Sequence, residues 1–223
     1  MRPCYATMPL QEFQLPAIFD LGATFAFALT GAFVGIKRGY DIVGVFFLAL
    51  VSSIGGGLIR DGIFIRSGTT PLLTDPRYIQ VIAGAVMIGA IMGNRVRRFQ
   101  RMITLIDALG LGAYAAFGTQ KALHAGLAAP AAILVGVINA AGGGLVRDVI
   151  TRGEPIVFKP GQFYVLTAFA GAVVFLFLST TLRVDSTLAA VAAIATTFVF
   201  RLLTVMFNWR TTPVSAMTDD VVP

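Results

Sequence analysis

The chain has 223 residues, 57% of them apolar and only 13% charged, with a mean hydropathy of +0.82. A soluble domain carries about a quarter of its residues as charges, so a soluble fold and a disordered chain are both excluded. The single cysteine, Cys4, rules out a disulfide scaffold, and the single histidine, His124, argues against a His/Cys metal centre.

What remains is an all-α integral membrane protein. At about 20 residues per spanning helix, the length allows roughly seven or eight spans. Charged residues mark the loops, and seven apolar stretches lie between them: Ala17–Ile36, Ile42–Ile65, Ile79–Met92, Ile103–Leu123, Ala129–Ile150, Phe163–Leu182 and Thr187–Phe207. The runs are long and continuous, which favours helices over the ten-residue alternating strands of a barrel. The second contains Arg60 and Asp61, the fifth Arg147 and Asp148, and the seventh Arg201. A polar tail covers residues 211–223, so one transmembrane domain spans about residues 1–210.

Basic residues in the loops set the orientation. One side receives Lys37, Arg38, Arg95, Arg97, Arg98, Arg101, Arg152, Lys159 and Arg210; the other receives Arg2, Arg66, Arg77, Lys121 and Arg183. The richer side is expected in the cytoplasm, with the C-terminus there and the N-terminus outside. The net charge of +6 follows from this topology, so no nucleic-acid partner is implied. Arg95, Arg97, Arg98 and Arg101 form a basic cluster suited to anionic lipid head groups.

The sequence repeats itself. Gly55-Gly56-Gly57-Leu58-Ile59-Arg60-Asp61 returns 87 positions later as Gly142-Gly143-Gly144-Leu145-Val146-Arg147-Asp148, and at the same offset Asp20 falls on Asp107 and Gly31 on Gly118. Two three-helix units follow, about residues 15–93 and 102–182, with a seventh helix over about 186–207 outside them. Three spans is an odd number, so the second unit must enter the membrane from the opposite side. The expected architecture is an inverted repeat, as in many transport proteins.

Each glycine triplet falls near the middle of its span. Glycine weakens a helix interior by about 1 kcal/mol relative to alanine, so Gly55, Gly56, Gly57 and Gly142, Gly143, Gly144 are candidate kinks; close helix packing is the other use of such residues. Arg60, Asp61, Arg147 and Asp148 follow within about two turns. Charges at that depth cost about 2.5–3.5 kcal/mol and must face water or each other. They are read as two charged rings along an ion path, or as structural pairs. Ser52, Ser53 and Asn139 add oxygens at similar depth, either as ligands for a partly dehydrated alkali cation or as interhelical hydrogen-bond formers. Asp20 and Asp107 near helix starts read as complements to the helix dipole, and Arg201 as an interfacial or pairing residue. No nucleophile set, metal-ligand cluster or phosphate loop is present in the sequence, so no enzyme and no cofactor is expected.

Two three-helix units plus a seventh helix, each unit with G-G-G-x-x-R-D in its second helix, resembles the prokaryotic branch of the trimeric intracellular cation (TRIC) channels. The resemblance runs from about Ala17 to Phe207. It implies a homotrimer with an hourglass pore in each protomer, lined by helices 2 and 5 kinked at their glycines, conducting K⁺ and other monovalent cations such as Na⁺. A short chain with a brief tail resembles the bacterial members, which places it in the inner membrane. Some bacterial relatives of the same domain are described as glycine transporters. A secondary transporter for a small zwitterion is therefore the competing expectation, with carboxylate on Arg60 or Arg147 and ammonium on Asp61 or Asp148.

Overall fold

A computed structural model describes residues 15–65, 74–93, 95, 100–159 and 163–209. Among them are seven α-helices and no strand. They are α1 (Ala17–Arg38), α2 (Ile42–Ile59), α3 (Arg77–Met92), α4 (Gln100–His124), α5 (Ala129–Ile150), α6 (Tyr164–Leu176) and α7 (Ser186–Met206). Two helices widen into π-turns at their ends, α2 over Arg60–Ile65 and α6 over Phe177–Thr181. The seven apolar stretches match these helices to within a few residues. Five, with α2 and α6 counted through their π-turns, are long and apolar enough to cross a bilayer; α3, at 16 residues, is shorter.

Local chemistry fixes the helix ends. Asp41 caps α2 by accepting from the Gly44 N–H at 2.8 Å, and Asp185 caps α7 by accepting from Thr187 and Leu188. Gly39 closes α1 in the left-handed region, φ 77°, with its N–H on the carbonyls of Gly35 and Ile36.

Four helices form the centre. α1 packs on α2, α4 on α5, and the pairs meet through α1 against α4 and α2 against α5. α3 lies on α1 and α2, α6 lies on α4 and α5, and α7 covers α4 and α6. The buried core is rich in alanine and glycine. Phe27 and Tyr114 stack at its middle with ring centroids 5.3 Å apart. Large apolar side chains including Ile18, Val43, Phe47, Met87, Ile91 and Leu188 face outward, as lipid contact requires. Of the basic cluster, Arg95 is exposed and Arg101 falls in the first turn of α4. Arg97, Arg98 and the tail 211–223 lie outside the described residues.

Candidate functional site: two buried charge clusters beside a glycine crossing

α2 and α5 cross at their glycines. A Cβ on Gly56 would run into the carbonyl oxygen of Asn139, and one on Gly143 into that of Ser52. A Cβ on Gly142 would come within 2.9 Å of the Gly56 Cα. The helical hydrogen-bond pattern runs through both triplets. The glycines bring two backbones into contact. The reason is steric: with no side chain between them, the helices close to a distance at which helical hydrogen bonds stay intact. The crossing leaves no passage between α2 and α5 at this level. The irregular backbone of α2 begins after the triplet, in the π-turn that opens at Arg60.

One turn beyond the crossing, Arg60 is 2% and Asp61 is 1% exposed. The guanidinium clasps the carboxylate with two bonds of 2.7 Å, Nε to Oδ1 and Nη2 to Oδ2. Its Nη1 donates to Asn139 Oδ1 at 3.1 Å, and its plane lies 5.3 Å from the Phe117 ring centre. The Asn139 amide nitrogen donates to the Tyr114 carbonyl oxygen at 2.8 Å. Lys121, in the last turn of α4, reaches the other side of Asp61 at 2.9 Å. Asp20 is buried and accepts a short hydrogen bond from the Tyr78 hydroxyl. The Tyr114 hydroxyl donates to the Ser53 carbonyl oxygen at 2.6 Å, which leaves its lone pairs to accept from Thr24 at 2.9 Å.

Beside them is a cavity of about 30 Å³, lined by Asp20, Thr24, Ser53, Arg60, Asp61, Tyr78 and Tyr114 with apolar neighbours. It lies among α1, α2, α3 and α4, on the side of α2 away from α5.

The second cluster is built on α5. Arg147 Nε donates to Asp148 Oδ1 at 2.9 Å, and Nη1 donates to Thr30 at 3.2 Å. Asp107 Oδ1 stands 3.8 Å from Arg147 Nη1, a looser ion pair. Asp148 Oδ2 accepts from the Ile156 N–H at 3.1 Å. The Arg201 guanidinium, from α7, lies 5.3 Å from the Tyr164 ring centre. Asp107 Oδ1 and the Tyr164 hydroxyl are buried with no hydrogen-bond partner among the described residues.

The structure thus separates the residues singled out from sequence. Arg60, Asp61 and Asn139 meet in one network, whereas Arg147 and Asp148 meet in another. Ser53 lines the cavity through its peptide; its hydroxyl, like that of Ser52, bonds back to its own helix at Leu50 and Leu48 respectively. The Ser52 hydroxyl sits against Gly31, where a Cβ would come within 2.6 Å of it. Asp20 and Asp107 do more than complement a helix dipole, because both are buried within the charge clusters. Arg201 is 3% exposed and does not reach the interface. Sequence reading missed Tyr78, Tyr114, Tyr164, Thr24 and Thr30, and assigned Lys121 to a loop. The signal for Tyr114 was its place 87 residues after Phe27, inside the repeat.

The fold and its buried, balanced charges define a helical multi-pass membrane protein. A family model described as glycine transporter matches residues 17–94 and 104–180, most of the chain and in two stretches. The chain belongs to this family. A UPF0126 membrane protein of Deinococcus radiodurans is 34% identical over 69% of this chain and 71% of its own. The inner membrane protein YadS of Escherichia coli K12 is 28% identical over 86% of this chain and 92% of its own. Among solved structures, the TRIC trimeric intracellular cation channel orthologue from Rhodobacter sphaeroides superposes with a TM-score of 0.76. It is 29% identical, and the match covers 85% of this chain and 96% of that one. A second TRIC cation channel superposes at 0.78, with 28% identity over 90% and 97% of the two chains. By these neighbours the protein is a member of the prokaryotic TRIC family.

Proposed function

We propose that this protein is a K⁺-permeable monovalent-cation channel, assembled as a homotrimer with one ion path in each protomer. The observation that carries the reading is the pair of buried charge clusters, one on α2 and one on α5, on either side of a side-chain-free helix crossing. A cation crossing about 30 Å of hydrocarbon needs polar groups in place of its water along the way. The clusters supply them. The path runs beside the crossing rather than through it, with α2 and α5 as one wall and α1 and α4 as the other. Arg60 and Arg147 close the path by pairing with the aspartates, and the aspartates concentrate cations when the arginines swing aside.

The two halves are read as an inverted repeat. Reciprocal contacts support this: Gly56 lies on the Asn139 carbonyl and Gly143 on that of Ser52, and each pair is 87 residues apart in sequence. Likewise Arg60 faces Phe117 and Arg147 faces Thr30. Contacts of this reciprocal form are those of a two-fold axis. With three spans per unit, that axis lies in the membrane plane. The loop charges favour an outside N-terminus and a cytoplasmic C-terminus, with Arg95 and its neighbours at anionic head groups. The trimer rests on the solved TRIC channels, described as trimeric.

The family description favours one alternative, a transporter of glycine. Against it stand the cavities: the larger, about 750 Å³ beside Tyr164, has Lys159 as the one charge in its lining, and the one at the first charge cluster is small. About 30 Å³ holds about two waters, less than a molecule carrying both a carboxylate and an ammonium.

Reconstitution of the purified protein into planar bilayers under a K⁺ gradient decides between them. Unitary currents of picoampere size that reverse near the K⁺ potential establish the channel. Glycine uptake into vesicles with no unitary current establishes the transporter.

A further inference from the structure

Each charge cluster holds two aspartates and two cations. In the first, Asp20 and Asp61 face Arg60 and Lys121. In the second, Asp107 and Asp148 face Arg147, and the fourth member comes from outside the repeat. The position matching Lys121 in the first unit, 87 residues earlier, is Val34, which carries no charge. The second cluster therefore receives no matching cation from the first unit.

α7 provides one. Arg201 is buried, its guanidinium lies over the Tyr164 ring, and the Tyr164 hydroxyl and the Arg147 guanidinium both lie within 4 Å of where a Cβ on Gly144 would stand. The helix is set there by close approach. A Cβ on Gly112 of α4 would come within 2.9 Å of the Ile194 Cα, and one on Gly171 of α6 would strike the Thr197 hydroxyl. Thr197 is one helical turn before Arg201, on the same face. The two stretches matched by the family model end at residue 180, so this cation lies beyond them.

We propose that Arg201 sets the charge balance at the second-cluster end of the ion path. It supplies to the second cluster the positive charge that Lys121 supplies to the first, so that both ends of the ion path are neutral at rest. The proposal rests on the ion-path reading for its effect on current, but not for the charge pairing itself. Neutralising either cation leaves its own cluster with one excess negative charge. That charge raises the local cation concentration at one end of the path only, and the open channel then rectifies.

The test uses the full-length protein in bilayers with equal KCl on both sides. Arg201→Gln is expected to change the ratio of currents at opposite voltages by about twofold or more. Lys121→Gln changes it in the opposite sense, because the two clusters sit at opposite ends. Arg201→Lys, which keeps the charge, shifts the ratio less than Arg201→Gln. An Arg201→Gln channel with the wild-type ratio, or one rectifying in the same sense as Lys121→Gln, overturns the proposal.

Thermal unfolding in detergent makes the pairing testable even if the wild type carries no current. Arg201→Gln and Asp107→Asn are measured singly and together. The double variant restores neutrality, so it should lose less melting temperature than the two single losses added, and it serves where Arg201→Gln alone does not fold. Strict additivity overturns the pairing; coupling without current rejects the channel reading and leaves the pairing standing.

Discussion

In the first charge cluster every buried acid has a close partner. Asp61 is held by three hydrogen bonds from Arg60 and Lys121, and Asp20 by Tyr78. In the second, built on the same seven-residue motif, Asp148 takes one bond from Arg147 and Asp107 Oδ1 takes none. The motif is the same in both, so the difference comes from positions around it. Tyr114 carries a hydroxyl where Phe27 has none, Asn139 carries an amide where Ser52 has a hydroxyl, and Lys121 stands where its counterpart is Val34. The π-turn adds to this. It follows Arg60 in α2, where Arg60 and Asp61 form a two-bond clasp; α5 stays α-helical, and Arg147 meets Asp148 through one bond. A duplicated motif thus sets the charges, while its neighbours set how firmly each half is closed.

What both halves share gives the largest expected effect. Gly56→Ala or Gly143→Ala puts a Cβ into a backbone carbonyl, which no rotamer relieves. Either should cost about 3 kcal/mol or more, seen as loss of the folded peak in size-exclusion chromatography. Gly55→Ala meets only ordinary contacts at 3.5 Å and should fold. If Gly56→Ala folds as well as Gly55→Ala, the close crossing is wrong.

The comparison sharpens at the acids. Asp61→Asn leaves Arg60 and Lys121 facing a neutral amide in a buried site, at a cost of about 3–5 kcal/mol. Asp148→Asn gives up one charge-assisted bond at a partly exposed site, about 1.5–3 kcal/mol. Thermal unfolding in detergent ranks them, and an Asp148→Asn loss equal to that of Asp61→Asn would remove the difference between the halves.

The tyrosines give a smaller contrast of the same kind. Tyr78→Phe takes away the partner of Asp20 and should cost about 1–3 kcal/mol. The Tyr164 hydroxyl is close enough to Asp107 to interact with it but meets no partner at full hydrogen-bond geometry, so Tyr164→Phe should cost less than Tyr78→Phe, under about 1 kcal/mol. A Tyr164→Phe loss matching that of Tyr78→Phe would mean that its hydroxyl bonds to Asp107 after all.

The smallest effect lies outside both clusters. Arg77 pairs with Asp75 at 2.6 Å, but the arginine is 61% exposed. Arg77→Ala should therefore change stability by less than about 1 kcal/mol.

The sequence by itself determined the membrane class, the seven helices, the doubled motif and the four motif charges. These follow from composition, hydrophobic run length and repetition at a constant offset, all of which are read along the chain. Only the tertiary structure decided what the glycines do. A triplet that permits a kink equally permits contact, and the choice depends on whether another backbone lies opposite; here Asn139 and Ser52 present their carbonyls. It also decided which side of α2 is hollow, and that Asp20, Tyr78, Tyr114, Lys121 and Arg201 join the charges. Those residues lie tens of positions from the motif, and Lys121 at a helix end looks like any loop cation until folding sets it against Asp61. A buried charge needs a counter-charge nearby in space, but nothing in that requirement says where along the chain the partner stands.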